Sequence, residues 1–412
     1  MPATMTFNQA ATLLNAIQQQ ATGRAAAVAT DMSSFVSAAT TTLATGYDPV
    51  MAAINQVLTR TIFSIRPYHR RFGLAEISES AYGNHIRKLT PLDKPISEDD
   101  RYKWPVTYDQ TKTDNQMGNG ESVDQQVINK QEVLQTNFYG QNVWQDSYTI
   151  FRDQLDVAFT GPEELAQFIA LITGNMANKI EQIREDIGRA TVLNSMIGTY
   201  ATADTATSAY ALGHRVIPLL TLYNAQTGLS LTATDVFKPD NFTPFVRWAF
   251  SIIMSVSDMM EERTGLFQTN VTGKVYNRHT PKDRQKLWIA SQAMNAIATM
   301  VRVQNYNDGF MALPDGVRVE KVGFWQSAQD PLTVNGTAGF ITADGTVDTA
   351  TANLGPVLAY LHDEEALGYA TVNSWSAPAP FNARGGYTTT WLHETQRVYN
   401  DHSEKSVVFV LA

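Results

Sequence analysis

TGPEELAQFIALITGNMANKIEQIREDIGRATVLNSMIG, residues 160–198, is the stretch on which the fold turns. Leu165, Phe168, Ile169, Ile172, Met176, Ile180, Ile183, Ile187, Leu193 and Ile197 form one apolar stripe. Their three-to-four-residue recurrence is that of a helix with one face on a core. Thr160-Gly-Pro-Glu163 has the form of a capping box with proline in the first turn. At about 1.5 Å per residue the rod would run roughly 55 Å, with Gly174 as its possible bend. A single stripe on so long a rod predicts one packed face and one open face.

On the N-terminal side, the run from Tyr102 to Tyr108 alternates strictly and reads as a strand, confined to an edge by Pro105. The polar segment DQTKTDNQMGNGES (109–122) follows, with Asn119-Gly120 as a tight-turn pair. A returning strand is expected within 123–139, where Leu134, Thr136 and Phe138 share a face. A ribbon over 100–140 with its tip near Met117 to Glu121 cannot bury a core alone, so it must lie on something else. Residues 1–65 read as an arm, with helical turns at 7–20 and at 49–63, where Met51, Ile54, Val57, Leu58 and Ile62 recur.

On the C-terminal side, an Ala/Thr-rich bridge (201–209) leads to a helix from Pro244 to Arg263, with Gly265 as its stop. A second helix is expected after Thr280-Pro281, carrying Leu287, Met294, Ile297 and Val301. Strands are expected at Val317–Trp325 and Val357–Leu361, with turns at Asn335-Gly336 and Asp344-Gly345. YTTTWLHETQRVYNDHSEKSVVFVLA (387–412) reads as two strands around a polar break at Asn400-Asp401-His402-Ser403.

Composition narrows the class. The 412 residues contain no cysteine, so neither disulfides nor thiolate metal sites arise. No apolar run reaches the roughly 18 residues of a bilayer span, and the N-terminus lacks the basic region of a secretory signal. A soluble chain with no membrane partner is expected. Charged residues make up 17%, against roughly 25% in ordinary domains. Interface cores are depleted in charge, so a surface that mostly meets neighbours would look like this.

The net charge of -9 is unevenly spread. Residues 1–75 hold five Lys/Arg against two Asp/Glu, and 76–160 hold eight against fourteen. The densest basic knot, SIRPYHRRFGL (64–74), lies just before that change of sign. Arginine pairs well with carboxylates. Arg66, Arg70 and Arg71 are therefore expected to meet Glu76, Glu79 or Glu98-Asp99-Asp100, within a subunit or between subunits. Tyr68 and Phe72 are expected to pack around Pro67. Contact with DNA or a scaffold on an inner surface is one competing reading, and solvated charge is the other.

No motif proposes a reaction. Gly273-Lys274-Val275 fails the phosphate-loop spacing, Gly118-Asn-Gly120 is a turn, and no nucleophile elbow exists. His393-Glu-Thr-Gln-Arg397 starts like a zinc-protease helix but has arginine in place of the second histidine. His362-Asp-Glu-Glu365 offers ligands for a hard cation, but such runs are usually solvated turns. Glu261-Glu262 reads as exposed charge. The expectation is no catalytic, cofactor-binding or metal site, no cofactor and no enzyme activity.

Element order then carries the argument: arm, polar hairpin, long one-faced helix, mixed region, final strand pair. LPDGVRVEKVGFWQSAQDPLTVNGT (313–337), AYLHDEEALGYATV (359–372) and ARGGYTTTWLHETQRVYNDHSEKSVVFVLA (383–412) strengthen the impression. The chain resembles the major capsid proteins of tailed bacteriophages, with the Hong Kong 97-type fold, most closely those of small short-tailed phages. The resemblance implies an α+β fold in four parts: an N-terminal arm (1–75), an extended hairpin loop (76–145), a peripheral domain with the spine helix (146–210 and 388–412), and an axial domain (211–387).

The resemblance also implies a function and partners. Copies would assemble in the bacterial host cytoplasm as hexamers and pentamers of an icosahedral or prolate virion capsid. The shell would enclose double-stranded DNA with weak non-specific contact, helped by a scaffolding protein and a portal. No scaffolding segment precedes Gln9, which points to a separate scaffold, and no immunoglobulin-like domain follows. Lys112 and Lys130 are eligible for a Lys–Asn cross-link, but neither is assigned to one. The alternatives are an encapsulin-like compartment shell and a globular enzyme with an unrecognised site.

Overall fold

A computed structural model describes residues 7–23, 31–44, 46, 49–50, 53, 70–77, 85–92, 104–105, 116–117, 126, 132–139, 141–159, 161–271, 276–295, 316–342 and 344–412. The arm contributes α1 (Phe7–Thr22) and α2 (Met32–Leu43). The expected turns at 7–20 are α1, while α2 was not anticipated from the sequence. Asp31 caps α2 by accepting from the Ser34 amide at 2.8 Å, which offsets the Ser/Thr-rich interior's weak helical preference. Most of the 49–63 helix lies outside the described residues.

The hairpin corrects one expectation. Its described ladder joins β1 (Ile86–Leu92) to β4 (Glu132–Phe138), antiparallel over seven register pairs. The segment expected as its outgoing strand is described only at β2 (Trp104–Pro105), which pairs in parallel with β3 (Gln116–Met117). Pro91 in IRKLTPL masks the strand pattern of β1. It is tolerated because this two-stranded sheet consists of edges. The 118–121 side of the tip lies outside the described residues.

After β5 (Gln141–Phe151) and α3 (Arg152–Ala158) comes the spine, α4 (Pro162–Thr202), one unbroken helix of 41 residues and about 60 Å. Its N-cap is Gly161, which makes no side-chain cap bond, and Pro162 stands in the first turn. Thr160, where a capping box is expected, lies outside the described residues, while the proline placement is as expected. The glycines that matter are not at Gly174. A Cβ on Gly188 would lie 2.9 Å from that of Phe72, and one on Gly198 would lie 2.4 Å from His402 Nε2. Both permit close approach to neighbouring segments.

The open-face expectation fails toward the helix C-terminus. Glu185, Thr191, Ser195 and Thr199 are buried beside Val192, Met196 and Ile197. The reason lies in what surrounds the rod. Leu165 packs with Ala10, Leu14 and Phe35 of the arm and Leu155 of α3, while Val192, Met196 and Ile197 pack with Val408, Val410 and Tyr360.

Those last residues belong to the larger sheet, ordered β6 (Val216–Pro218), β13 (Ser406–Val410), β10 (Val347–Asp363), β7 (Gln285–Ala290), β8 (Arg318–Val322), with β9 (Thr333–Ile341) on the first half of β10. Alternate residues serve opposite cores. Val357, Tyr360, Val408 and Trp288 face the spine. Leu358, Leu361, Val407, Phe409, Leu287 and Ile289 face the other side. There, α5 (Leu219–Thr227) and α7 (Pro239–Glu261), with the short α6 (Ala233–Val236) between them, bury Leu222, Phe245, Ile253 and Val256. Covering on both faces explains why the second half of β10 reads as a continuous apolar run.

It also explains the misread segment at 285–290, expected as helix. QKLWIA is a short apolar run whose period does not separate strand from buried helix, and it forms a fully buried central strand. Helix α7 begins at Pro239, ahead of the expected Pro244, and ends at Glu261 with an extended C-cap, so Gly265 is not its stop. Asn335-Gly336 lies within β9 rather than at a turn, whereas Asp344-Gly345 does turn between β9 and β10.

A second sheet, β11 (Leu367–Pro378), β12 (Tyr387–Asn400), β5, lies across the spine. The two terminal strand runs are thus β12 and β13, and they belong to different sheets. This second sheet draws its strands from 141–151, 367–378 and 387–400.

Candidate functional site

The C-terminal half of the basic knot is riveted to the body. The Arg70 guanidinium pairs with Glu76 and, at 3.0 Å, with Glu181 of the spine. Arg184 continues the row to Glu181 at 3.2 Å and Glu394 of β12 at 2.9 Å. The Arg71 amide donates to Glu185 at 3.2 Å. Phe72 is buried and stacks on Trp288 with ring centroids 5.1 Å apart; Pro67, around which it is expected to pack, lies outside the described residues. Lys286 of β7 donates to the Leu74 carbonyl at 2.6 Å. Arg70 and Glu76 are brought together as the sequence suggested, within one chain. Glu181 was missed because it lies 111 residues away. Arg66, Pro67, Tyr68, Glu79, Glu98-Asp99-Asp100, Lys112, Lys130 and Gly273-Lys274-Val275 fall outside the described residues.

The polar break before β13 is buried, from Asp401 to Ser406. Lys405 Nζ donates to the Met260 and Glu262 carbonyls at 3.2 and 2.8 Å and to Thr264 Oγ1 at 3.3 Å. These three contacts use every ammonium donor at the C-terminus of α7, where the helix dipole favours a cation. Burial still pulls its pKa down to about 8, against the attraction of Asp363 and Glu262. Arg215 is buried without a carboxylate contact and donates to the Ser406 hydroxyl at 2.7 Å and to Thr199 at 3.3 Å. Desolvation lowers its pKa to about 10. His402 is pushed down to about 4, chiefly by burial, then by Arg215.

The segments closest to metal or catalytic motifs are structural. Trp288 Nε1 donates to His362 Nε2 at 2.8 Å, and Nδ1 sits 2.7 Å from the Asp363 carbonyl. The ring is therefore held neutral, and burial lowers its pKa to about 3. Asp363 accepts from Thr280 at 2.6 Å. His393 lies on strand β12, stacked on Trp375 at 4.1 Å. Among the described residues no His, Cys, Asp and Glu group could hold a metal ion, and no helix is long and apolar enough to cross a membrane.

Two surfaces remain unsatisfied. The outer face of the second sheet carries Val143 and Phe151 of β5, Trp391 and His393 of β12, and Trp375 of β11, separated by Gln145, Ser147, Thr149, Thr389, Thr395 and Asn373. None of these is Lys, Arg, Asp or Glu, and Val143, Phe151, Trp375 and Trp391 are exposed. The hairpin ladder exposes Leu89, Val133 and, just beyond β4, Tyr139. Aromatic, charge-poor surface of this kind is what interface cores are made of. The arrangement can bind protein.

The model of the Phi29-like phage major capsid protein family matches residues 105–410. No curated protein matches the chain. Solved structures similar to it include a chain of the head fiber and inner core protein gp22 structure of native bacteriophage P68. It is 10% identical, with a TM-score of 0.47 over 85% of this chain and 87% of that one. The capsid of Staphylococcus phage Andhra (10%, TM-score 0.46, 85% and 87%) and that of cyanophage P-SCSP1u (12%, TM-score 0.44, 85% and 90%) are also similar.

Proposed function

The chain belongs to the Phi29-like phage major capsid protein family, and from that premise we propose how its copies join into a virion shell. It is a capsid shell protein, and its family implies a structural rather than enzymatic role. The encapsulin-like and enzyme readings find no support in the family match.

The finer reading keeps the four parts: arm (1–75), hairpin loop (76–145), peripheral domain (146–210 and 388–412) and axial domain (211–387). Copies gather as hexamers and pentamers, with the hairpin of one copy lying on the outer sheet face of the next. One observation carries this. The β1–β4 ladder pairs with no other described strand and leaves Leu89, Val133 and Tyr139 exposed, and the outer face of the second sheet exposes Val143, Phe151, Trp375 and Trp391. Covering a few hundred Å² of such surface contributes several kcal/mol at ~25 cal/mol/Å², and repetition over a closed shell multiplies it. Assembly in the host cytoplasm, a scaffolding protein, a portal and weak non-specific contact with enclosed double-stranded DNA complete the proposal.

The test is expression with electron microscopy of the particles. Closed shells are expected from the intact chain. Deleting 110–125 should leave a folded chain that sediments as unassembled protein. Normal shells from that deletion would refute the hairpin's role.

A further inference from the structure

The hairpin ladder touches the body through one side only. Ile86, Lys88, Thr90 and Leu92 are partly buried, while Arg87, Leu89 and Pro91 are exposed. On the inward side the hydrophobic contact is Phe138 against Tyr399, with centroids 5.1 Å apart. The charged contact is Lys88. Its ammonium meets Glu404, Asp401 Oδ2 at 2.9 Å and Glu365 at 3.4 Å. Asp401 and Glu404 sit in the buried turn before β13 and Glu365 in the turn after β10, 277 to 316 residues further along the chain.

The body side of this contact is held independently. Glu404 also pairs with Arg278, Asp401 accepts from the Ser403 amide at 2.9 Å, and Glu365 pairs with Arg284 at 3.2 Å. The lever side is also self-sufficient, since the seven register pairs of β1 and β4 close on each other. Among the described residues the two parts therefore meet through one ring contact, Phe138 on Tyr399, and one charged contact, Lys88. Its three donors match three carboxylates, a charge-assisted arrangement stronger than neutral hydrogen bonds.

We propose that Lys88 is a latch: closed on Asp401, Glu404 and Glu365, it sets the angle at which the hairpin leaves the body, and opened, it frees the hairpin as one lever without unfolding either part. The proposal rests on the shell reading for its purpose but not for its geometry. A shell subunit must present the hairpin at the angle of its neighbour, and the ion pairs of one lysine are a contact that can be made and broken locally. Lys88 is a positioning residue.

The chain has no cysteine, so spin labels on Val133→Cys and Tyr210→Cys, both exposed positions, report one hairpin-to-body distance in the unassembled full-length chain. One narrow distance distribution is expected with Lys88, its loss to a broad one in Lys88→Met, and recovery in Lys88→Arg, with a cooperative melt retained throughout. An unchanged narrow distribution in Lys88→Met would overturn the latch. So would loss of the cooperative melt in that variant, since Lys88 would then hold the core and not the hairpin. If the labels behave as expected while the intact chain builds no shells, the latch stands and the shell reading falls.

Discussion

The turn at 401–406 and the ladder of 86–92 with 132–138 are both polar stretches, and the fold treats them in opposite ways. The turn is sunk in the body, with Lys405 saturated by two carbonyls and a hydroxyl and Asp401 accepting from Ser403. The ladder keeps its polar groups near water and leaves Leu89 and Val133 bare. The difference is one of partners. A buried polar group is tolerated when each donor and acceptor is met inside the chain. An apolar group left outside marks where the chain's own partners run out. The turn holds the subunit together, and the ladder is the part that we propose another subunit covers.

The largest effect should come from unpairing the turn. Glu404 is buried and answers both Lys88 and Arg278. Glu404→Ala takes its carboxylate from Arg278 and leaves Lys88 with Asp401 and Glu365, and removing one member of a buried pair costs about 3–5 kcal/mol. Urea unfolding of the unassembled chain measures it. A loss below ~1 kcal/mol would mean that the turn is not the clasp its contacts describe.

Acid should give the next effect. His402 and His362 take up protons near pH 6.5 when unfolded, but burial holds the folded values near 4 and 3. Between pH 6.5 and about 4 the unfolded chain therefore binds more protons, so stability must fall as pH falls through that window. Each pKa unit corresponds to about 1.4 kcal/mol, which puts the loss on the order of 1–3 kcal/mol per histidine. Asp401, whose net shift is downward, has desolvation as its largest influence, opposed and outweighed by the Lys88 charge and the Ser403 bond. Its contribution is lost only below the ordinary aspartate value, so the two windows separate. His402→Asn should flatten part of the upper slope. Flat stability from pH 6.5 to 4 would break the account of the buried turn.

The sequence made the body's skeleton legible where period and partner coincide. The stripe of 165–197 became one helix, the two terminal runs became β12 and β13, and Phe72 and Glu76 did what their types suggested. It failed where a residue's neighbours are distant in the chain. Nothing local in NDHSEK says that Lys88, Arg278 and the end of α7 will close over it. QKLWIA became a strand because cores wait on both of its faces. IRKLTPL has no clean alternation, and its pairing with 132–138 is visible only once the ladder exists. The candidate interface was legible as composition, a charge-poor chain with a polar hairpin, but not as a face. The outward alternation of Val143, Phe151, Trp375 and Trp391 needs the register of three strands.

The smallest effect on the subunit should be the most damaging to the shell. Leu89 and Val133 point away from the body and are more than half exposed, at 60% and 58%. Replacing both with serine removes almost no intramolecular packing, so unfolding of the unassembled chain should move by less than about 0.5 kcal/mol. Between copies the same two side chains would be buried, and losing a Leu and a Val at a covered contact forfeits roughly 1.5–3 kcal/mol each. Over the many contacts of a closed shell, that penalty should raise the protein concentration needed for assembly well beyond the intact chain's. Light scattering across a concentration series, run beside urea unfolding on the same preparations, separates the two terms. Equal stability with delayed or absent shells would place the apolar face of the hairpin at a contact between subunits. Equal stability with unchanged assembly would leave Leu89 and Val133 in solvent in the finished shell, and the contrast between turn and ladder would then lie in solvation alone.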